Sequence, residues 1–298
     1  MTLSLGALVL STAALAPVSA AGPAAAFAPV MRTIYATIVD KDGAKVPDLT
    51  AADFTIKESG KTAEIVKVEP ATAKIRMALM IEERLAPDGA VRQGLFEFIK
   101  RMQPLAEISV ISVGLRNTIV VDYTQSGDAL VGALNQLSLN PQPTSNLMEG
   151  LLEIGRAIEK QKPERPVIVA VAFSGGQAGG ASANEVLGQL RQSGAGLYSV
   201  TLGNAQDTGG TGKLGEMGDA AGREQVLGDG AKQTGARRIE VVSTNQVQKA
   251  LQQLADDLTS QYVIKYALPE GTKLDKRVSV TLNKKGFTMR APVVMPDR

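Results

Sequence analysis

The sequence predicts an α/β protein: a mostly parallel sheet with helices on both faces, accompanied by a small β module drawn from the N- and C-terminal segments. Three observations carry that expectation. Between residues 75 and 242, short apolar runs alternate with amphipathic stretches of helical period, the pattern of a sheet covered on both sides. Before and after that region the period falls to two and the turns tighten, which marks strands and hairpins. A chain of 298 residues that is 44% hydrophobic also has the apolar content for one large domain or two smaller ones.

From the N-terminus, residues 1–20 have the features of an export signal. An Ala/Leu-rich run, Leu3 to Leu15, precedes Pro17 and the small residues Val18-Ser19-Ala20-Ala21, and the first charge is Arg32. A run of about a dozen apolar residues is short for a bilayer span, so cleavage near Ala21 is expected, with an uncleaved anchor as the alternative. Residues 21–30 are an Ala/Pro linker. Residues 31–70 form the N-terminal β segment: Ile34, Ala36 and Ile38 alternate with more polar neighbours, Asp42-Gly43 signals a hairpin, and Phe54-Thr55-Ile56 leads to a second turn at Ser59-Gly60.

Residues 74–260 carry the α/β pattern. Strands are expected at Ile75–Ile81, Ile108–Gly114, Thr118–Tyr123, Val167–Phe173, Gly196–Leu202 and Arg238–Val242. Helices fall between them. One near Gly89–Met102 is expected to bury Leu95, Phe96, Ile99 and Met102; one near Leu147–Glu159 to bury Leu151, Leu152, Ile154 and Ile158; and one over Thr244–Ser260 to bury Val247, Leu251, Leu254 and Leu258. Asp256 and Asp257 on the last helix diverge by roughly 100°, which makes them a solvated face rather than paired catalytic carboxylates. Residues 261–295 return to strands, Tyr262–Tyr266, Arg277–Leu282 and Phe287–Ala291, expected to pair with the N-terminal β segment.

Composition narrows the chemistry. There is no cysteine and no histidine, which removes disulfides, thiol catalysis, Ser-His-Asp arrangements and the commonest zinc ligand. A net charge of +2, from 32 basic and 30 acidic residues, makes no case for nucleic acid. The stretch Asp207-Thr208-Gly209-Gly210-Thr211-Gly212-Lys213-Leu214 fails as a phosphate loop, because Asp207 and Leu214 stand where that motif needs Gly and Ser or Thr. It is expected to be a surface loop.

The ordered set Asp40, Gly43, Val46, Leu49, Asp53-Phe54, Ile56, Glu58, Gly60 and Ile65, and the strand Met77–Ile81 running into Glu82-Glu83-Arg84-Leu85, resemble the von Willebrand factor type A-like (VWFA-related) proteins of the acidobacterial type. The resemblance covers about Thr33 to Val294. It implies a Rossmann-like sheet whose first strand ends in an Asp-x-Ser-x-Ser metal signature, completed by a threonine and an aspartate from two later loops. Carried over, Glu82 stands for the first aspartate, Arg84 and Ala86 for the two serines, Ser145 for the threonine (with Thr144 as a one-residue register alternative), and Gly175 for the second aspartate. The site is degenerate: Mg²⁺ needs carboxylates and further oxygens in near-octahedral order, and Arg84 adds a repelling charge. Ser145 has a second reading as a helix N-cap. Glu82 and Glu83, as neighbours on a strand, point to opposite faces and make a poor acid/base pair.

Ligands of such sheets bind beyond the carboxyl ends of the strands. Leu85, Thr144, Asn146 and Gly176, in the loops there, are the expected contacts for a partner. The chain is accordingly expected to be an exported, non-enzymatic protein-interaction domain, without cofactor or metal, whose partner is an unknown protein. A hydrolase or carbohydrate-active enzyme using carboxylates at the same loops, or a structural envelope component, are the alternatives.

Overall fold

The computed structural model describes residues 29–86, 88–137, 145–174, 180–203, 214–268, 272 and 274–296, the side chains of 214–219 excepted. The expected export signal and the glycine-rich loop at 204–213 lie outside the described residues, as do Thr144, Gly175 and Gly176.

The first half of the chain supplies β1 (Val30–Val39), β2 (Phe54–Glu58), β3 (Lys61–Thr62), β4 (Glu64–Pro70), β5 (Ile75–Glu82), α1 (Gly89–Met102), β6 (Ala106–Val113), β7 (Thr118–Thr124) and α2 (Gly127–Gln136). The second half supplies α3 (Leu147–Gln161), β8 (Arg165–Phe173), α4 (Ala183–Ser193), β9 (Gly196–Leu202), α5 (Leu214–Gln225), α6 (Ala231–Gln233), β10 (Arg238–Val241), α7 (Val247–Thr259), β11 (Gln261–Leu268), β12 (Val278–Leu282) and β13 (Thr288–Arg290). No helix of the described residues is long and apolar enough to cross a membrane.

The central sheet runs β10-β9-β8-β5-β6-β7, all parallel except β7, which lies antiparallel against β6. Both faces of β5 are buried, and its alternation shows why. Met77, Leu79 and Ile81 pack with Leu95, Phe98, Leu251 and Leu254 from α1 and α7 on one side, while Ala78 and Met80 pack with Leu147, Leu151, Val186 and Leu190 from α3 and α4 on the other. The helices start where the sequence caps them. The Asp88 carboxylate accepts the N–H groups of Ala90 and Val91, and Ser182 with Glu185 forms a capping box on α4. One expectation fails on α1: Phe96 is 37% exposed and Phe98 is buried, because the stripe continues from Leu95 by three residues rather than one. Burying such a ring is worth about 2–3 kcal/mol.

The terminal segments form two small sheets rather than the single second sheet expected. One is ordered β13-β1-β11-β4 and the other β12-β2-β3. Strand β1 pairs antiparallel with β11 over eight residue pairs, from Val30 with Leu268 to Thr37 with Gln261. Ile34, Ile38, Tyr262, Ile264 and Tyr266 of the first sheet share a core with Phe54, Ile56 and Val278 of the second. The period-two pattern at both ends of the chain corresponds to real strands. The split arises because β12 pairs with β2, over Val278–Leu282, instead of joining β13.

A buried polar seam joins this module to the α/β unit. The Arg165 guanidinium donates five bonds, to Gln261 Oε1 twice and to the carbonyls of Ala71, Ala73 and Leu258, so it ties the entry and exit of the α/β unit together. Asp257 is also here. It is 2% exposed and paired with Arg290 and Arg237, which overturns the expectation of a solvated Asp256–Asp257 face; only Asp256, bonded to Arg101 at 2.6 Å, meets solvent. Loss of solvent holds the Asp257 carboxyl above its ordinary pKa despite both arginines, and it is the largest cause of the rise of the neighbouring Tyr198 hydroxyl to about 12.

Candidate functional site

In the order β10-β9-β8-β5-β6-β7 the connections reverse direction between β8 and β5, so the ligand crevice of a doubly wound sheet lies past the ends of those two strands. Strand β5 delivers Glu82 there, and β8 delivers Phe173. The crevice floor is filled. Arg223, from α5, is fully buried and donates through Nη2 to Glu82 Oε2 at 2.6 Å and to the Phe173 carbonyl at 2.8 Å, while its Nη1 lies 3.4 Å from Ser145 Oγ. The Phe173 N–H also donates to Glu82 Oε2, at 2.8 Å.

The other oxygen of Glu82 accepts from Arg84 Nη2 at 3.2 Å, and the Arg84 guanidinium lies 4.3 Å from the centroid of the Phe173 ring. A buried carboxylate is thus held between two arginines, one enclosed and one at the rim, its side chain 23% exposed. Glu83 faces elsewhere and accepts the Ser112 hydroxyl at 3.0 Å. Gly114 makes room for it, since a Cβ there would sit 2.2 Å from Glu83 Oε2.

These residues do not fit a divalent metal. Both Glu82 oxygens already accept N–H donors, whose hydrogens point at the lone pairs a metal would need, and a guanidinium lies among the remaining oxygens of Ser145 and Phe173. Acid/base chemistry is equally unsupported by Glu82 and Glu83, whose carboxylates are engaged with separate partners.

The loops around the crevice depart from expectation in three places. Ser145 does not cap α3; Asn146 holds the N-cap position without a side-chain cap bond, and Ser145 Oγ faces Arg223 instead. Leu85 is 1% exposed and Ala86 is fully buried, so neither can meet a partner; the 3₁₀ turn Glu83–Leu85 folds them into the core beneath α1. Asn146 is half-buried, its N–H donating to the Gly114 carbonyl at 2.9 Å and its side-chain amide to the Leu115 carbonyl, so it binds the β6–β7 loop to the start of α3. Among the described residues, the apolar groups that reach solvent at this end include Leu115 and Ile119, 60% and 57% exposed.

Arg223 is absent from the residues that sequence motifs single out, yet a signal exists. It stands three and four residues before Val226 and Leu227, both fully buried, and therefore on the core face of its helix. A five-residue π-helical turn, Val226–Gly230, follows it.

No protein-family model matches the chain, and no curated protein matches it. Similar solved structures include the proximal thread matrix protein 1 of the mussel byssus with a zinc-occupied MIDAS motif, at 8% identity over 66% of this chain and 49% of that one with a TM-score of 0.48. The chain thus spans about half the length of the mussel protein. The von Willebrand factor domain of the type V pili tip protein Mfa5 from Porphyromonas gingivalis is similar at 9% identity, over 63% of this chain and 96% of that one, with a TM-score of 0.44. BatB from Bacteroides thetaiotaomicron is similar at 12% identity, over 62% and 98%, with a TM-score of 0.45. At 8–12% identity these likenesses are of fold: the central unit is a mostly parallel six-stranded sheet with an antiparallel β7 edge and helices on both faces.

Proposed function

We propose that the chain is an exported protein-interaction domain that engages its partner without a bound metal and without chemistry of its own. The observation that carries this reading is the closed crevice. At the place where a doubly wound sheet takes a small molecule, Glu82 and Arg223 are fully buried against each other. Among the described residues, no free carboxylate faces an opening there, which counts against the hydrolase reading. What stays accessible is a rim that combines the half-buried Arg84 cation with the exposed Leu115 and Ile119, the mixture of charge and apolar surface that suits a protein contact.

Affinity capture from the native envelope, with and without EDTA, tests the reading. The same protein should be retained in both conditions and should itself capture this chain in the reciprocal experiment. Retention that disappears with EDTA would defeat the metal-independent reading, and hydrolysis of peptides or glycans lost on Glu82→Gln would replace it with an enzyme. Export is tested separately by N-terminal sequencing of protein from the producing cell. A start at or near Ala21 is expected; a chain retaining Leu5–Leu15 would show an anchor.

A further inference from the structure

We infer that Glu82, Ser145 and the Phe173 carbonyl form a guanidinium receptor that the chain fills with its own Arg223, so the positive charge on the crevice floor is built in and not recruited from solution. This deepens the proposed reading of the same crevice and rests on it only in taking that crevice as closed.

The geometry is that of a planar fork meeting separate oxygens. Nη2 serves two acceptors, one anionic and one neutral, and Nη1 faces the third. Arg223 Nε, buried, has no hydrogen-bond partner among the described residues, whose acceptors are matched to the terminal nitrogens of the group. A spherical ion could not use the same arrangement, because the Phe173 N–H and the Arg84 Nη2 direct hydrogens at the two Glu82 oxygens. A lysine would reach the carboxylate as a point charge but could not span the carboxylate and the hydroxyl as a rigid plane. The helix is built to seat this group. Val226 and Leu227, one turn on, are fully buried, and Gly230 lets the helix approach until a Cβ there would sit 3.0 Å from Leu197 Cδ2.

A receptor for a tethered group should accept the same group free in solution. In Arg223→Ala the full chain should melt several degrees lower than wild type, and millimolar methylguanidinium should restore part of that loss saturably. The same salt should leave wild type and the double variant Glu82→Gln/Arg223→Ala unmoved, as should sodium chloride at matched ionic strength on all three proteins. If Arg223→Ala does not fold alone, the yield of refolded protein with and without methylguanidinium decides the matter: a saturable rise in yield supports the receptor, and an unchanged yield overturns it. Equal shifts in all three proteins, no shift in Arg223→Ala, or stabilisation of it by Mg²⁺ and not by methylguanidinium would each overturn the inference. Partner capture is a separate readout: rescue without metal-independent capture leaves this inference standing and removes the interaction reading, and capture without rescue does the reverse.

Discussion

Replacing Arg223 by methionine keeps an apolar stem and deletes the guanidinium, which leaves the Glu82 carboxylate enclosed with, among the described residues, the Phe173 N–H and the rim arginine Arg84 as partners. Breaking one side of a buried ion pair costs about 3–5 kcal/mol, because the remaining charge loses its compensation and gains no water. The two retained donors place the effect at the lower end, about 3 kcal/mol. For a chain of this size about 2–4 °C is lost per kcal/mol, so the melting temperature should fall by about 6–12 °C. Urea denaturation at constant slope measures the free energy directly. The double variant Glu82→Gln/Arg223→Met should lie within about 1–2 kcal/mol of wild type, because neither charge is then stranded; with Glu82→Gln stranding the Arg223 charge at a similar cost of about 3 kcal/mol, the cycle should return a coupling energy of about 4–5 kcal/mol. A loss below about 1 kcal/mol in Arg223→Met, or a double variant as unstable as the sum of the singles, would refute the idea that the pair is mutually dependent.

Three further outcomes are expected. Burial holds the Asp257 carboxyl above its ordinary value of 3.8, so the folded state keeps that proton to higher pH than the unfolded state; the residue's contribution is full below 3.8 and is lost as pH rises through the folded value. The urea midpoint of wild type minus that of Asp257→Asn should therefore fall from acid toward neutral pH, and a rise in that signed difference would contradict the burial argument. Gly235 has φ +71° and a Cβ there would sit 2.3 Å from the backbone of Ala291 and Pro292, so Gly235→Ala should cost about 2 kcal/mol or more in thermal and urea melts by prising the C-terminal segment from α6. Deleting residues 261–298 removes both strands that pair with β1, so hydrogen exchange at Ile34–Ile38 should become fast; unchanged protection would show that β1 holds its structure without β11 and β13.

Hydrophobic period makes the α/β unit legible. Strands buried on both faces, such as Met77–Ile81 and Val167–Phe173, stand out as continuous apolar runs, and the Leu251–Leu254–Leu258 stripe of α7 announces its buried face. The site is legible only in part. Their positions after strands point to Glu82 and Ser145, but the group that joins them comes from residue 223, which is 141 residues from Glu82 and 78 from Ser145. Nothing local marks Arg223 as buried except its spacing to Val226 and Leu227. Asp257 escapes a local reading for a related reason: its own helix pattern says solvent, and it is β13 and Arg237 that cover it. Leu85 reads as a loop residue open to a partner because a 3₁₀ turn, which is hard to distinguish from a loop in sequence, folds it under α1.

An arginine at the floor of this crevice is the feature on which the proposed metal independence, the closure and the receptor geometry all depend. Diffraction from crystals of the full chain grown with millimolar Mn²⁺, recorded at the manganese absorption edge, would reveal which cation sits there. The Arg223 guanidinium should lie between Glu82, Ser145 and the Phe173 carbonyl, with no anomalous peak in the crevice; a manganese peak bonded to Glu82 and Ser145, with Arg223 displaced from them, would contradict it.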